Sequence, residues 1–301
     1  MKKAAVFVLV LSLVISLVGC GTGASGEITG EKIKVSVSFD ALKEFTAAVG
    51  GDKVEISTII PDGTEPHDFE PKAQDLVALS SASVFIYNGL GMEPWAEDAV
   101  TAATNKALIV VVASDGITPI TNTGAEEIEE HGQYDPHIWL SLKCAETEVT
   151  NIKDALIKAD PDNKDYYEDN CSSYISKLED LYNDYSQKFA SVEKKNFVTG
   201  HAAFAYLCRD FGLSQNSVED VFAEGEPTAM QLTKLVEYCK SNNVTTVFAE
   251  EMASPEVSET LANEVGAQVK TIFTIESTED GKTYLERMAD NLSEIYESLS
   301  A

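Results

Sequence analysis

The chain has 301 residues, 44% of them hydrophobic, and a formal net charge of −28. That length allows one large domain or two medium ones, with enough apolar content to bury a real core. So acidic a surface repels nucleic acid and anionic head groups, and a charge this diffuse names no ligand by itself.

Lys2 and Lys3 precede an uncharged, mostly apolar run from Ala4 to Val18. The run is short for a spanning helix and right for the core of a signal peptide. It ends in Leu17-Val18-Gly19-Cys20, which resembles a bacterial lipobox. Residues 1–19 are therefore expected to be a lipoprotein signal peptide, with Cys20 as the lipidated first residue. An ordinary secretory signal with an incidental cysteine, or an uncleaved anchor, is the alternative. Residues 20–31 read as a flexible Gly/Ser/Thr tether. The folded part is then expected outside the cytoplasm, lipid-anchored to the outer face of the bacterial membrane.

Short β-branched runs and amphipathic stretches then alternate. "IKVSVSF" (Ile33–Phe39) reads as a strand, and "DALKEFTAAV" as a helix ended by Gly50-Gly51. "KVEISTII" is the next strand, closed by Pro61-Asp62-Gly63; a helix is expected near Ala73–Ser81. Strand "SVFIY", helix Pro94–Asn105 and strand "ALIVVV" follow. Such βα alternation implies a parallel sheet flanked by helices. Leu142–Ala159 reads as a helix stopped by Asp160-Pro161. From Pro161 to about Ser191 no Gly or Pro interrupts, and Tyr167, Cys171, Tyr174, Leu178, Leu181, Tyr185 and Phe189 mark one helical stripe. About thirty helical residues reach about 45 Å, enough to join two lobes. The βα pattern resumes with strand "NFVT", helix Ala202–Phe211, helix Thr228–Ser241, strand "VTTVFA", helix Pro255–Val265, strand "AQVKTIF" and helix Tyr284–Ser298. The expected domains are an N-terminal lobe over 32–160, a linking helix over 161–192 and a C-terminal lobe over 193–301. Cys144, Cys171, Cys208 and Cys239 form no CxxC pair; they suit lone buried thiols as well as bridges.

There are only four histidines. His67 in "GTEPHDFEP", His137 in "DPHIWL" and His201 in "TGHAAFAY" each fall past the end of an expected strand. Ligands of open α/β sheets bind outside the carboxyl ends of the strands. Two of these histidines come from the first half and one from the second, so a cleft between lobes is positioned to gather them. Singly, each is as compatible with a turn or a core position as with a metal ligand.

The motifs "GTEPHDFEP", "NGLGMEPW", "DPHIWL", "TGHAAFAY" and "GEPTAMQL", in that order, resemble the zinc/manganese solute-binding lipoproteins of ABC importers, ZnuA/TroA-like. The likeness extends over nearly all of residues 32–301. It implies an α/β fold of two βα lobes with parallel four-stranded sheets, joined by one long spanning helix, with a metal site in the cleft between them. It places the metal ligands on His67, His137 and His201, with Glu276 of "TIFTIES" as the fourth; Glu250, Glu251, His131 or a water are rivals for that place. Histidine at position 201 is similar to zinc-type members, where manganese importers carry Glu, so Zn²⁺ is expected ahead of Mn²⁺. The implied role is capture of zinc and its delivery to an ABC transporter permease, by a monomer held to the membrane through Cys20, without turnover and without nucleic acid. A tethered zinc hydrolase with Glu250 or Glu251 as base, or an adhesin, are the alternatives from other classes. Two departures stand out. Ser141 replaces the acid that usually follows "DPHIWL", and the His-rich loop of many zinc-type members is here the acidic "TNTGAEEIEEHGQY", with His131 alone.

Overall fold

The computed structural model describes residues 32–122, 128, 132–219, 228–250, 255–277 and 281–301. The expected signal peptide, Cys20 and the tether lie outside the described residues, as do His131, Glu251 and Asp280. No helix among the described residues is long and apolar enough to cross a membrane.

The first half folds as β1 (Ile33–Val37), α1 (Asp40–Gly50), β2 (Val54–Thr58), β3 (Val84–Tyr87), α2 (Ala96–Ala103) and β4 (Ile109–Val112). Two long helices follow, α3 (Leu142–Ala159) and α4 (Lys164–Ser191). The second half is β5 (Asn196–Thr199), α5 (Ala205–Phe211), β6 (Ser214–Ser217), α6 (Ala229–Ser241), β7 (Thr246–Glu250), α7 (Glu256–Val265), β8 (Gln268–Ile272) and α8 (Tyr284–Ser300). The sheets run β2-β1-β3-β4 and β6-β5-β7-β8, and every pair is parallel. Each sheet switches winding direction at its centre, between β1 and β3 and between β5 and β7. Such a switch leaves a crevice at the carboxyl ends of the strands.

Two elements differ from the sequence reading. The segment around Ala73–Ser81 forms successive tight turns and a single 3₁₀ turn at Ala78–Ser80 instead of an α-helix. Its backbone bonds run from residue i+3 to i, as in Asp75 N–H to Lys72 (2.9 Å) and Ser80 N–H to Val77 (3.2 Å), which is 3₁₀ geometry. The Asp75 carboxylate also takes the Lys72 N–H at 2.7 Å, competing with helical pairing. β6 was not expected at all. Its sequence, Ser-Gln-Asn-Ser, is wholly polar, because it lies at the sheet edge and carries no core-facing stripe.

The stripe on α4 packs as its spacing predicts. Tyr167, Cys171, Leu178, Tyr185 and Phe189 are buried. The 28 residues of α4 reach about 42 Å, lying along α1 and α3 and also touching α5 and α8. One contiguous apolar cluster runs from Val35, Phe39 and Trp139 through Tyr167 and Phe189 to Phe197, Phe248 and Met288. Residues of both sheets therefore share a core. Cys144, Cys171, Cys208 and Cys239 are free and buried in it or in its neighbour. Burial pushes the Cys208 thiol up to about 12 and the Cys239 thiol up to about 11, so both stay protonated and inert.

Ser141 caps α3, its hydroxyl accepting the Cys144 N–H at 3.0 Å. It also donates to the Asp210 carboxylate from α5. Serine and aspartate both cap helices well, so the helix start survives the departure noted above. An aspartate at 141 would instead face Asp210. Ser141→Ala should lower stability by about 1 kcal/mol. Ser141→Asp should keep the cap yet destabilise at neutral pH through the facing carboxylate. Urea unfolding of the three proteins measures both effects.

Candidate metal site

Three of the four ligand positions read from the sequence sit on loops past β2, β4 and β5, and Glu276 follows β8. The structure brings all four together. One ligand atom from each of His67, His137, His201 and Glu276 lies within 4.8 Å of the others. His137 Nε2 is 3.1 Å from His67 Nε2, 3.2 Å from His201 Nε2 and 3.8 Å from Glu276 Oε1. A tetrahedral zinc with bonds of about 2.0–2.1 Å separates its ligand atoms by about 3.3 Å. The two nitrogen pairs at His137 match that edge, and the set as a whole, spanning up to 4.8 Å, has to contract around the ion.

Carboxylates hold the backbone N–H of all three histidines and the rings of two. Asp135 and Glu65 both stand two residues before a histidine, with proline between. Asp135 Oδ1 accepts the His137 N–H at 2.9 Å, and Glu65 Oε1 accepts the His67 N–H at 3.3 Å. The same Asp135 oxygen holds His137 Nδ1 at 2.9 Å. For His201 the carboxylate comes from the end of β7. Glu250 takes the His201 N–H at 2.8 Å and the ring Nδ1 at 2.7 Å. Gly200 makes room for it, since a Cβ there would lie 3.0 Å from Glu250 Oε1. A carboxylate on Nδ1 fixes the tautomer and leaves Nε2 as the metal-facing atom. Two neutral Nε2 lone pairs at 3.2 Å repel each other, so a cation or a proton is needed between them.

Glu276 is held by its own backbone and by the first lobe. Thr274 Oγ1 donates to Glu276 Oε2 at 3.0 Å, the Asp40 N–H reaches the Glu276 carbonyl at 3.4 Å, and Trp139 Nε1 donates to the Thr274 carbonyl at 2.7 Å. Ile275, between them, has φ of 60° and is fully buried. A β-branched residue in the left-handed region costs on the order of 1–3 kcal/mol. Hydrogen bonds of about 0.5–1.5 kcal/mol each offset it only in combination. Trp139 also lies 5.1 Å from the His137 ring, centre to centre, and against Phe39 at 4.7 Å. It forms an apolar wall behind the His137 ring.

The charges divide unevenly. Burial, and then the charge of His201, hold His137 well below the usual imidazole range. Burial also opposes charge on His201, but attraction and a hydrogen bond from Glu250 outweigh it, and its value rises to about 10. Glu250 is correspondingly lowered, its own burial being overcome by His201. Both shifts favour a His201⁺–Glu250⁻ pair when no metal is bound, with His201 protonated on the nitrogen that would face the metal. Glu250, a rival for the fourth ligand place in the sequence reading, is instead the partner of His201. Asp135 had been read only as part of a motif. The recurrence of acid-Pro-His at both His67 and His137 was the available signal.

The model of the ZnuA family, zinc-uptake complex component A periplasmic, matches residues 35–298. The chain belongs to this family. The high-affinity zinc uptake system protein ZnuA of Bacillus subtilis is 37% identical, covering 93% of this chain and 92% of its own. The solved structure of a zinc-bound ZnuA deletion mutant superposes with a TM-score of 0.79 at 33% identity, covering 90% of this chain and 99% of that one. The laminin-binding protein Lmb of Streptococcus agalactiae, described as bifunctional with adhesin and metal-transporting activity, gives a TM-score of 0.81 at 34% identity, covering 89% and 99%.

The ionised pair has a pH signature in the metal-free protein. His201, raised, contributes stability that is full below its ordinary 6.5 and lost as pH rises through about 10. Glu250, lowered, contributes above its ordinary 4.5 and loses that contribution as pH falls through its depressed value. The stability difference between wild type and His201→Gln, in chelator, should peak between these two ordinary values and shrink toward pH 10. Calorimetry across that range checks it, and a flat difference would show that no such pair forms.

Proposed function

We propose that this protein captures zinc outside the cytoplasm through His67, His137, His201 and Glu276 and delivers it to an ABC transporter permease. The observation that supports the reading is the convergence of three imidazoles and one carboxylate within 4.8 Å of one another. Three imidazoles and a carboxylate close the shell of Zn²⁺ and leave no position for a reactive water, which suits carriage rather than turnover. Glu250, one of the two acids a hydrolase could use as its base, is engaged with the ring and N–H of His201, and Glu251 lies outside the described residues. A nitrogen-rich set favours zinc over the harder Mn²⁺. Cys20 is the proposed lipid anchor, and the chain acts as a monomer with lobes 32–160 and 193–301 joined by the helix over 161–192.

Because zinc must displace the His201 proton, affinity should fall as pH drops, and the fall should begin well above 6.5. Native mass spectrometry of protein purified without added metal, followed by competitive titration, tests the metal and its stoichiometry. One zinc per chain is expected. Glu276→Ala should weaken zinc binding by at least about tenfold, the scale of a lost outer partner; unchanged affinity would remove Glu276 from the shell. His201→Glu should move the zinc/manganese preference toward manganese, and an unchanged competition ratio sinks the selectivity argument. The Lmb likeness supports a second reading, adhesion alongside uptake. Growth of a deletion strain in zinc-depleted medium, compared with its binding to laminin, separates the two.

A further inference from the structure

The turn that carries Glu276 is tied to the opposite lobe by a residue the metal shell does not include. Arg287, on the first turns of α8, is fully buried. Its Nη1 donates to the Ser277 carbonyl at 2.9 Å and to Asp40 Oδ2 at 3.2 Å, and Nη2 donates to the Lys282 carbonyl at 3.0 Å. Asp40 opens α1 in the first lobe, and its own N–H meets the Glu276 carbonyl. Ser277 in turn holds the Gly63 N–H at 2.6 Å, on the loop that leads to His67. One guanidinium therefore gathers two carbonyls that follow Glu276 and fastens them to the start of α1. Ile275, left-handed and β-branched, stands immediately before Glu276. Backbone of this kind persists only where its surroundings over-determine it, and a forked, charged donor is suited to that work.

We propose that Arg287 is the positioning residue for Glu276, holding the strained turn in the one conformation that aims the carboxylate at the three histidines and so setting how long zinc stays bound. The proposal rests on Glu276 being a ligand, as read above. Loss of the fork lets the Ile275 backbone relax and swings the carboxylate away, while the histidines keep their own carboxylate partners. Zinc then binds through three imidazoles and leaves sooner.

The test is zinc release from the full chain into excess chelator, followed by stopped flow. Arg287→Gln should release zinc about tenfold to a hundredfold faster, the range seen when a residue that orients a ligand is removed. Arg287→Lys retains the charge beside Asp40 but not the fork. It should melt near the wild-type temperature and still release zinc faster, which keeps the test alive should Arg287→Gln not fold. In a Glu276→Gln background, Arg287→Lys should change the rate by less than about twofold, because its effect runs through Glu276. Unchanged release from Arg287→Lys, or an equal acceleration in both backgrounds, overturns the proposal. If Glu276→Gln alone leaves release unchanged, the ligand assignment has failed instead, and the two failures are told apart.

Discussion

Everything at the site depends on carboxylates placed behind imidazoles. Three metal-facing nitrogens, two of them within 3.2 Å of the third, repel one another, and burial removes the water that would screen them. Asp135 and Glu250 each hold an Nδ1 and turn the opposite nitrogen inward. They also hold the backbone N–H of the same residue, so ring and chain are fixed together. Two of the three rings are thus oriented before metal arrives, and the ligand set has chiefly to contract from its 4.8 Å span. The same carboxylates carry a cost. Glu250 strengthens the hold of His201 on a proton, so zinc has to compete with protons for a nitrogen that the protein has made more basic.

The two lobes are not independent plates around this site. Trp139 donates across to the Thr274 carbonyl, Tyr284 returns a bond to the Trp139 carbonyl at 2.6 Å, and Tyr206 reaches the Asp135 carbonyl at 2.6 Å. The shared apolar cluster runs beneath these links. Wide hinge opening would expose that cluster at roughly 25 cal/mol per Å² of apolar area. Local change in the loops that bear the ligands costs far less, and it is in one such loop that the strain at Ile275 is found.

Much of this was legible in the sequence, for identifiable reasons. The strands β3 and β7 are mostly apolar because both faces of a parallel sheet are covered, and α4 shows its stripe because one face packs while the other is wet. His67, His137 and His201 could be placed because strand ends are where such folds hold ligands. What stayed hidden was set by contacts between distant parts of the chain. β6 has no apolar residue to announce it and is defined by pairing with β5. Glu250 lies 49 residues from the histidine it orients, and Arg287 lies 247 from Asp40. The segment at Ala73–Ser81 carried helical composition, yet the Asp75 side chain redirected its backbone.

The buried thiols bear on a different moment in the life of the chain. Folded, Cys144, Cys171, Cys208 and Cys239 are protonated and enclosed, so these four thiols do not compete with the histidine site for zinc. Unfolded, the same four sulfurs are soft ligands freely presented beside the histidines. Any zinc they bind there favours the open chain and subtracts from the stabilisation that the finished site confers. Zinc therefore stabilises this fold by less than its affinity for the finished site alone would imply.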